Sequence, residues 1–274
     1  MPETDLHARR LAQWCQSPAT RLADASAGAA LIQRLGIATL YPASPEVPDL
    51  FHAFMGDPDA KTEPQWDTPS GEVYSWRWKL GRAEAGFYCV LVRNRPTWVS
   101  WELLPAVLRL CGEQRTPDEL YDAGELSPAA YRVAQALERA GGVLSTGELR
   151  QEAGFPTGKE QRTAYLKAVD ELDARLLVAK TFVGEEDELR HALVARRYRE
   201  QVAVSQRFNR EQAWERVLAT YLPAAAYAVP TMLARHLKLD EAELRASLER
   251  LVAAGRAAAI TLAPHKGACY AWRE

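Results

Sequence analysis

The sequence has few cysteines, and they lie far from one another. It holds 4 cysteines among 274 residues, at Cys15, Cys89, Cys111 and Cys269. No C-x-x-C pair and no nearby group of histidines accompanies them, which argues against a zinc site and against a disulfide framework. Since a free cysteine behaves as a small hydrophobic residue, we expect four reduced packing residues, no metal site and no cofactor.

Long apolar segments are also missing. No run approaches the roughly 18 uncharged apolar residues that a membrane-spanning helix requires. The first residues do not show a basic region followed by an apolar one, as a secretory signal would. We therefore expect no membrane span, no membrane partner and a cytoplasmic location.

Positive charge is not in excess. Lys and Arg total 34 against 36 Asp and Glu, a formal net charge of −2. A domain that binds mainly nucleic acid usually has a basic footprint, so any such surface must be local. The candidate clusters are Arg9–Arg10, Arg77 with Lys79, Arg93 with Arg95, and Arg196–Arg197 with Arg199. Each cluster alone is more typical of a solvated face.

Apolar residues, in contrast, are plentiful. The composition is 47% hydrophobic and 26% charged, which is typical of a globular protein with real cores. At about 100 to 150 residues per domain, the length predicts two or three units.

The C-terminal half repeats one pattern of elements, three helices followed by two strands. In the first copy, helices are predicted over 128–140, from Ser145 and over 159–174, and strands over 177–182 and 189–195. Ser145 and Glu148 have the spacing of a capping box, which starts the second helix. The acidic turn at 185–188 separates the two strands and predicts a wing.

The second copy has the same order. Helices are predicted from Arg210, over 230–236 and from Asp240 to Gly255, and a hairpin is predicted over 257–262 and 268–272. Such a repeat is structural, because the two copies share little sequence. We therefore predict a mostly α fold with small β wings (α+β), made of tandem winged helices over 128–200 and 201–274.

Residues 1–127 form a third unit, which we interpret as a divergent winged helix. Helices are predicted over 24–35, 50–55 and 102–110, and strands over 37–41 and 98–101. Between 73 and 80, the aromatic residues Tyr74, Trp76 and Trp78 alternate with polar ones, which predicts a strand. For 83–92 the pattern is ambiguous, and its place before an Arg-Pro turn favours a helix.

The aromatic residues of this unit allow two interpretations. Five tryptophans lie close together in the sequence, at Trp66, Trp76, Trp78, Trp98 and Trp101. Beside Arg77 and Lys79 they could form a platform on which bases stack. Alternatively, they are the core of the unit, and we favour this second interpretation.

Several short stretches resemble the proteins described as AlkZ-related. They are Leu35-Gly36-Ile37-Ala38-Thr39-Leu40-Tyr41-Pro42, Trp78-Lys79-Leu80, Phe87-Tyr88, Arg95-Pro96-Thr97 and Glu102-Leu103-Leu104-Pro105. These proteins are relatives of the AlkZ/YcaQ winged-helix DNA glycosylases. For that glycosylase family, the resemblance implies three winged helices around a DNA channel and hydrolysis of the N-glycosidic bond of alkylated or crosslinked bases.

The resemblance also implies where catalytic groups should lie. Family members carry a Gln, an apolar residue and then Asp or Gln shortly after a glycine of the first unit. Counted from Gly36, these positions hold Thr39 and Tyr41, and neither acts as a carboxylate at neutral pH. The string Gln65-Trp66-Asp67 matches the pattern later in the chain, in a proline-flanked loop. Asp67 and Asp57 of this loop are therefore weak catalytic candidates.

Three functions remain open. The first is a winged-helix protein of DNA repair or regulation that binds double-stranded DNA. The second is a protein-interaction scaffold, and the third is a glycosylase with a relocated catalytic group. The candidate DNA-binding residues are Lys159, Gln161, Arg162 and Lys167 on the third helix of the first copy, Arg77, Lys79, Arg196 and Arg197, and His265 and Lys266 in the last wing.

Overall fold

Three units of the chain share one order of elements. The computed structural model describes residues 3–184 and 187–273. Within these residues, each unit runs helix, strand, helix, helix, strand, strand. Its three strands form an antiparallel sheet with the last strand in the centre. This is a winged-helix-like order, in which the loop between the last two strands is the wing. The predicted α+β class is confirmed.

The first unit follows an N-terminal helix. The elements are α1 (Glu3–Gln13), α2 (Ala25–Leu35), β1 (Ile37–Thr39), α3 (Leu50–Met55), α4 (Pro69–Arg82), β2 (Phe87–Val90) and β3 (Pro96–Val99). Asp24, Asp49 and Thr68 begin α2, α3 and α4, because each side-chain oxygen accepts from a first-turn amide. The wing between β2 and β3 is short. Two further helices, α5 (Leu104–Cys111) and α6 (Pro117–Asp122), lead to the second unit.

The second unit agrees closely with its prediction. It consists of α7 (Pro128–Ala140), β4 (Leu144–Ser145), α8 (Thr146–Glu152), α9 (Lys159–Ala174), β5 (Val178–Thr181) and β6 (Arg190–Leu193). The capping box of Ser145 and Glu148 is present. In the predicted acidic wing, Glu185 and Glu186 lie outside the described residues. Two short helices that the sequence pattern did not indicate follow, α10 (Val194–Arg197) and α11 (Arg199–Arg207).

The third unit also has its predicted order. It consists of α12 (Arg210–Ala225), β7 (Tyr227–Ala228), α13 (Pro230–Leu237), α14 (Glu241–Ala253), β8 (Ala257–Ile260) and β9 (Cys269–Trp272). Asp240 caps α14, since its carboxylate accepts from the amide of Glu243 at 2.8 Å. No helix in the described part of the chain is long and apolar enough to cross a bilayer.

The first and third units share one hydrophobic core, to which Leu176, Ala179 and Val194 of the second unit also belong, and the second unit has a further core of its own. Trp76 and Trp98 of the first unit belong to the same buried cluster as Trp214 and Leu248 of the third. Helices α5 and α12 form the main contact between them. A separate cluster, which includes Leu137 and Tyr165, fills the second unit. The first and third units are therefore one packed body.

The wing of the second unit packs against the first unit. Phe182 stacks on Trp98 with 6.0 Å between ring centroids and meets the edges of Trp78 and Tyr88 at 5.5 and 5.4 Å. A Cβ atom on Gly81 would lie 2.1 Å from the Phe182 ring, so only glycine permits this approach. Trp76, Trp78 and Trp98 are buried, as the core interpretation of the tryptophans predicted. That interpretation does not hold for Trp101, which is partly exposed, or for Trp66, which is 76% exposed.

Two local predictions in the first unit are wrong. Residues 73–80 form part of helix α4 and not a strand. Val73, Trp76 and Leu80 recur at helical spacing and pack inward. Trp78 is buried on another side of the helix, by the wing of the second unit. Burial on both sides produced the alternation that resembles a strand.

The second error concerns 83–92, where a helix was favoured. Phe87 to Val90 form strand β2, which pairs with β3 from Phe87 opposite Val99 to Val90 opposite Pro96. Aromatic and β-branched residues favour strands, and here this preference decides the structure.

Candidate nucleic-acid interface

The outer face of α9 presents a group of polar side chains to solvent. Helix α9 packs against α7 through Tyr165, Val169 and Leu172, which are buried. The predicted set on the opposite side is exposed: Lys159, Gln161, Arg162 and Lys167. Among the described residues, no carboxylate forms an ion pair with these three cations. Their charge is therefore available to an anionic partner.

A further cation lies at the start of this helix. Arg150 of α8 donates from Nη2 to the carbonyl oxygen of Pro156 at 2.6 Å and to that of Gly158 at 3.3 Å. Gly158 precedes α9 and supplies no side chain to cap it. The first amides of α9 and the Arg150 guanidinium thus meet at one end of the helix, which favours anions. Sequence pattern gave no sign of Arg150, because the turn between α8 and α9 positions it.

The corresponding helix of the third unit has a different surface. On α14, Glu243 pairs with Arg210 at 2.8 Å and Glu241 pairs with Arg245 at 2.7 Å. The Arg210 guanidinium, through its hydrogen bonds, holds the pKa of Glu243 below its usual range. These glutamates and arginines therefore neutralise one another within the third unit.

The other predicted basic residues are mostly engaged. Lys79 pairs with Glu72 at 2.8 Å, and Arg197 lies 3.6 Å from Glu84. Arg196 forms an ion pair with Glu138. Arg77 packs its guanidinium over Tyr74 at 3.8 Å and over Trp78 at 4.4 Å. The wing precedes β6, whereas Arg196 and Arg197 follow that strand. These two arginines therefore do not extend the exposed face of α9.

The two positions at which the resemblance places catalytic residues hold Thr39 and Tyr41, and neither side chain is arranged for catalysis. Thr39 is fully buried, and its hydroxyl donates to the carbonyl oxygen of Pro48 at 3.4 Å. Tyr41 is partly buried and donates to the carbonyl oxygen of Ser70 at 2.6 Å. Burial raises the pKa of Tyr41, so this phenol stays neutral at physiological pH.

The two weak catalytic candidates lie on the surface. Asp57 is exposed, and its carboxylate accepts from the backbone amide of Asp59 at 2.9 Å in a local turn. Asp67 is also exposed, next to Trp66, of which 76% is accessible.

A cleft with both apolar and polar walls lies between the first and third units, close to the end of β1. Its volume is about 700 Å³. Its walls carry His7 of α1, Asp49 and His52 at the start of α3, Arg93 of the first wing and His265 of the third wing. We call it the histidine cleft. It contains one of the two predicted residues of the last wing, His265, while Lys266 is exposed nearby.

One carboxylate of the cleft is held by a histidine. Asp49 is buried, and its Oδ2 lies 2.9 Å from Nδ1 of His52 and 3.4 Å from Nε2 of Gln16. The other ring nitrogen of His52 lies 3.1 Å from the carbonyl oxygen of Ala60. Burial lowers the pKa of His52, but the hydrogen bond to Asp49, the charge of that carboxylate and the hydrogen bond to Ala60 together outweigh this, so the pKa is raised. Both ring nitrogens face acceptors, which favours the imidazolium form.

Backbone strain accompanies the cleft at Arg93. Arg93 and Asn94 are consecutive residues with φ of 48° and 59°, in the left-handed region that costs a non-glycine residue about 1–2 kcal/mol. Lys238 of the third unit donates to the Asn94 side chain at 2.8 Å and fixes this loop. Sequence pattern could not reveal the cleft, because its residues come from distant parts of the chain. Among the described residues, no group of three or more His, Cys, Asp or Glu could hold a metal ion.

Comparison with known proteins agrees with this architecture. The model of the family described as AlkZ related matches residues 24–238. No curated protein matches the chain. Among solved structures, the Streptomyces sahachiroi DNA glycosylase AlkZ is similar in fold, with a TM-score of 0.57 and 12% identity, over 97% of this chain and 69% of that chain.

Proposed function

The chain belongs to the AlkZ-related family, and from this premise we propose that it binds double-stranded DNA through α9. The observation that carries the proposal is the exposed face of α9, whose cations have no carboxylate partner in the described part of the chain. We retain the units 1–127, 128–200 and 201–274 as part of this proposal, together with a role in DNA repair or regulation.

The chemistry of this face suits DNA. In a winged helix, the third helix enters the major groove and places polar side chains at base edges. Lys159, Arg162 and Lys167 supply charge for phosphates, and Gln161 can read a base edge. With a net charge of −2 for the whole chain, this local surface must carry most of the attraction. The paired charges of α14 leave the third unit with a smaller part in duplex binding.

We further propose that base excision by the family's catalytic pair is absent. Hydrolysis of the N-glycosidic bond needs a group that positions water and a group that stabilises the cationic sugar. Thr39 is fully buried and its backbone pairs with that of Asp49, and Tyr41 is a neutral phenol hydrogen-bonded to the backbone. Neither side chain can stabilise a cation in the way a carboxylate does.

Replacement of Arg162 by glutamine is expected to weaken duplex binding roughly five- to tenfold at about 0.1 M salt, because one phosphate contact is lost. The slope of log affinity against log salt should fall in magnitude by about 0.9. Fluorescence anisotropy of a labelled duplex over a salt series measures both quantities.

Arg207→Gln is the matched control for this variant. Arg207 is an exposed arginine of a different helix, α11, and its loss should leave affinity and slope nearly unchanged. If the two substitutions weakened duplex binding equally, the loss would reflect the overall charge of the protein and not a specific contact of α9. If the wild type binds no duplex or single strand at low salt, the proposal fails and a protein-interaction scaffold becomes the better interpretation.

A second experiment addresses catalysis. The wild-type protein is expected to release no base from duplexes that carry alkylated purines or a crosslink, because the paired positions lack a carboxylate or amide. Base release is detected as cleavage of the DNA strand at the resulting abasic sites. Should bases be released, Asp67→Asn and Asp57→Asn test the two loop carboxylates, and release would refute the loss of activity.

A further inference from the structure

We propose that the histidine cleft is a binding site for a phosphate-bearing ligand, with the Arg93 guanidinium as its phosphate contact. Two wings meet at this cleft, because Arg93 lies on the wing of the first unit and His265 on that of the third. This site is separate from α9 and goes beyond the proposed function.

The charges of the cleft select an anion. Glu46 and Asp49 line it, but both carboxylates are already occupied: Arg10 lies 2.9 Å from Glu46, and His52 lies 2.9 Å from Asp49. Arg93 is exposed and forms no ion pair with the described residues. The cleft therefore has an uncompensated positive charge, and a cationic ligand would find no free acid.

The geometry of Arg93 leaves donors available. One N–H of its guanidinium donates to the carbonyl oxygen of Ala43 at 3.1 Å, which fixes the direction of the side chain. A guanidinium has five N–H donors in a planar fork that matches the oxygens of a phosphate. The anchoring bond uses only one of them, and the remaining donors make a bidentate contact with phosphate.

The strained backbone supports a functional role for this residue. Arg93 and Asn94 both adopt left-handed conformations that glycine would adopt without strain. Such strain persists where the surrounding structure imposes it, and it concentrates at binding sites. Here α13 packs on the loop and Lys238 holds Asn94, so Arg93 is held in place at the cleft.

The size of the cleft indicates the class of ligand. A volume of about 700 Å³ lies within the range of small-molecule sites and accommodates a nucleotide. Proline residues at 42, 45 and 58 and Trp14 provide apolar lining beside the polar groups. A phosphate can come from a free nucleotide or from the DNA backbone, and the same contact would bind either one.

The test uses the histidines as local reporters. The chain has 5 histidines, of which His7, His52 and His265 line the cleft. His191 is buried in the second unit and serves as an internal reference. Titration of the full chain with 5′-deoxyadenosine monophosphate, and in parallel with inorganic phosphate, should shift the imidazole NMR signals of His7 and His265 and leave that of His191 in place.

Three variants assign the contact. Arg93→Gln should weaken nucleotide binding roughly ten- to hundredfold, the loss expected for hydrogen bonds to a charged group. Arg95→Gln removes an equal charge two residues along the same wing, outside the cleft, and should change binding less than about twofold. Arg93→Gly relieves the left-handed strain, so it should unfold no earlier than the wild type yet bind as weakly as Arg93→Gln.

The outcomes separate the two sources of phosphate and the two sites. If the nucleotide binds and Arg93→Gln leaves duplex affinity unchanged, the ligand is a free nucleotide. If Arg93→Gln also weakens duplex binding, the cleft receives the DNA backbone. The proposal is overturned if phosphate, nucleotide and duplex all bind independently of Arg93, or if Arg95→Gln has the same effect. Loss of duplex binding in Arg162→Gln would not alter any of these results for the nucleotide.

Discussion

Replacement of Arg10 by methionine is expected to lower the free energy of unfolding by about 3 to 5 kcal/mol, the usual cost of removing one partner of a buried ion pair. Arg10 and Glu46 are 3% and 1% exposed, and their side chains lie 2.9 Å apart. Methionine retains the apolar stem but leaves the Glu46 carboxylate buried without its cation. Urea denaturation followed by tryptophan fluorescence measures the change.

The magnitude follows from what Arg10 joins together. Its guanidinium donates to the carbonyl oxygens of Ala225 at 2.9 Å and Pro45 at 2.9 Å, and also to that of Tyr227. It stacks on the Tyr227 ring with 3.4 Å to the centroid. Burial lowers the pKa of Arg10, but Glu46, together with Tyr221 and Tyr227, outweighs this effect, so the pKa is raised. One side chain of α1 thus ties the proline-rich segment of the first unit to the sheet of the third.

Glu46 is equally connected on its other side. Its Oε2 accepts from the Tyr221 hydroxyl at 2.9 Å and from the Val229 amide at 2.9 Å. The double variant Arg10→Met with Glu46→Leu should therefore lose less stability than the sum of the losses of the two single variants. In this double variant the Tyr221 hydroxyl and the Val229 amide still lose their acceptor. Arg207→Met, at an exposed helix position, should cost less than about 0.5 kcal/mol. A similar loss in both Arg→Met variants would contradict the argument.

Local signals predicted the second and third units well. The capping box at Ser145, the glycine after α7 and the apolar spacing along α9 all act within a few residues, so sequence alone places these helices. The same reasoning failed for α4, because Trp78 is buried by Phe182, about 100 residues away in the chain. A contact from another unit gave one helix two apolar sides.

The two candidate sites also differ in how far the sequence predicts them. Exposure of Lys159 and Arg162 follows from helical periodicity, so the sequence predicted this face. The histidine cleft brings together residues from α1, α3 and two wings, and no local pattern connects them. Arg93 and Arg95 looked alike in the sequence. Only the fold separates them, since it turns Arg93 into the cleft at a left-handed position.

A second large effect is expected from pH, through His191 in the second unit. This residue is 4% exposed on β6; Nε2 lies 3.2 Å from the Thr146 hydroxyl, and Nδ1 has no hydrogen-bond partner among the described residues. Burial, assisted by the positive charge of Lys180, lowers the pKa of His191 from 6.5 to about 4. The folded state therefore holds this imidazole neutral in mild acid.

The sign of the effect follows from proton uptake. Below about pH 6.5 the unfolded chain protonates His191 first, while the folded chain does so only near its lowered pKa. In this window the unfolded state binds more protons, so stability falls as the pH falls. Between pH 7 and pH 5 the loss should be about 2 kcal/mol, and about 3 kcal/mol once the pH is below the folded pKa.

The variant His191→Gln isolates this contribution. Glutamine does not titrate, so the variant should lose about 2 kcal/mol less than the wild type between pH 7 and pH 5, whatever its stability at neutral pH. Contributions from His52, His236 and the carboxylates are common to both proteins and cancel in the difference. Because the second unit has its own core, amide exchange of β4 and β6 should show the same dependence. Parallel pH profiles of the two proteins would mean that His191 is protonated as readily in the folded state as in the unfolded state.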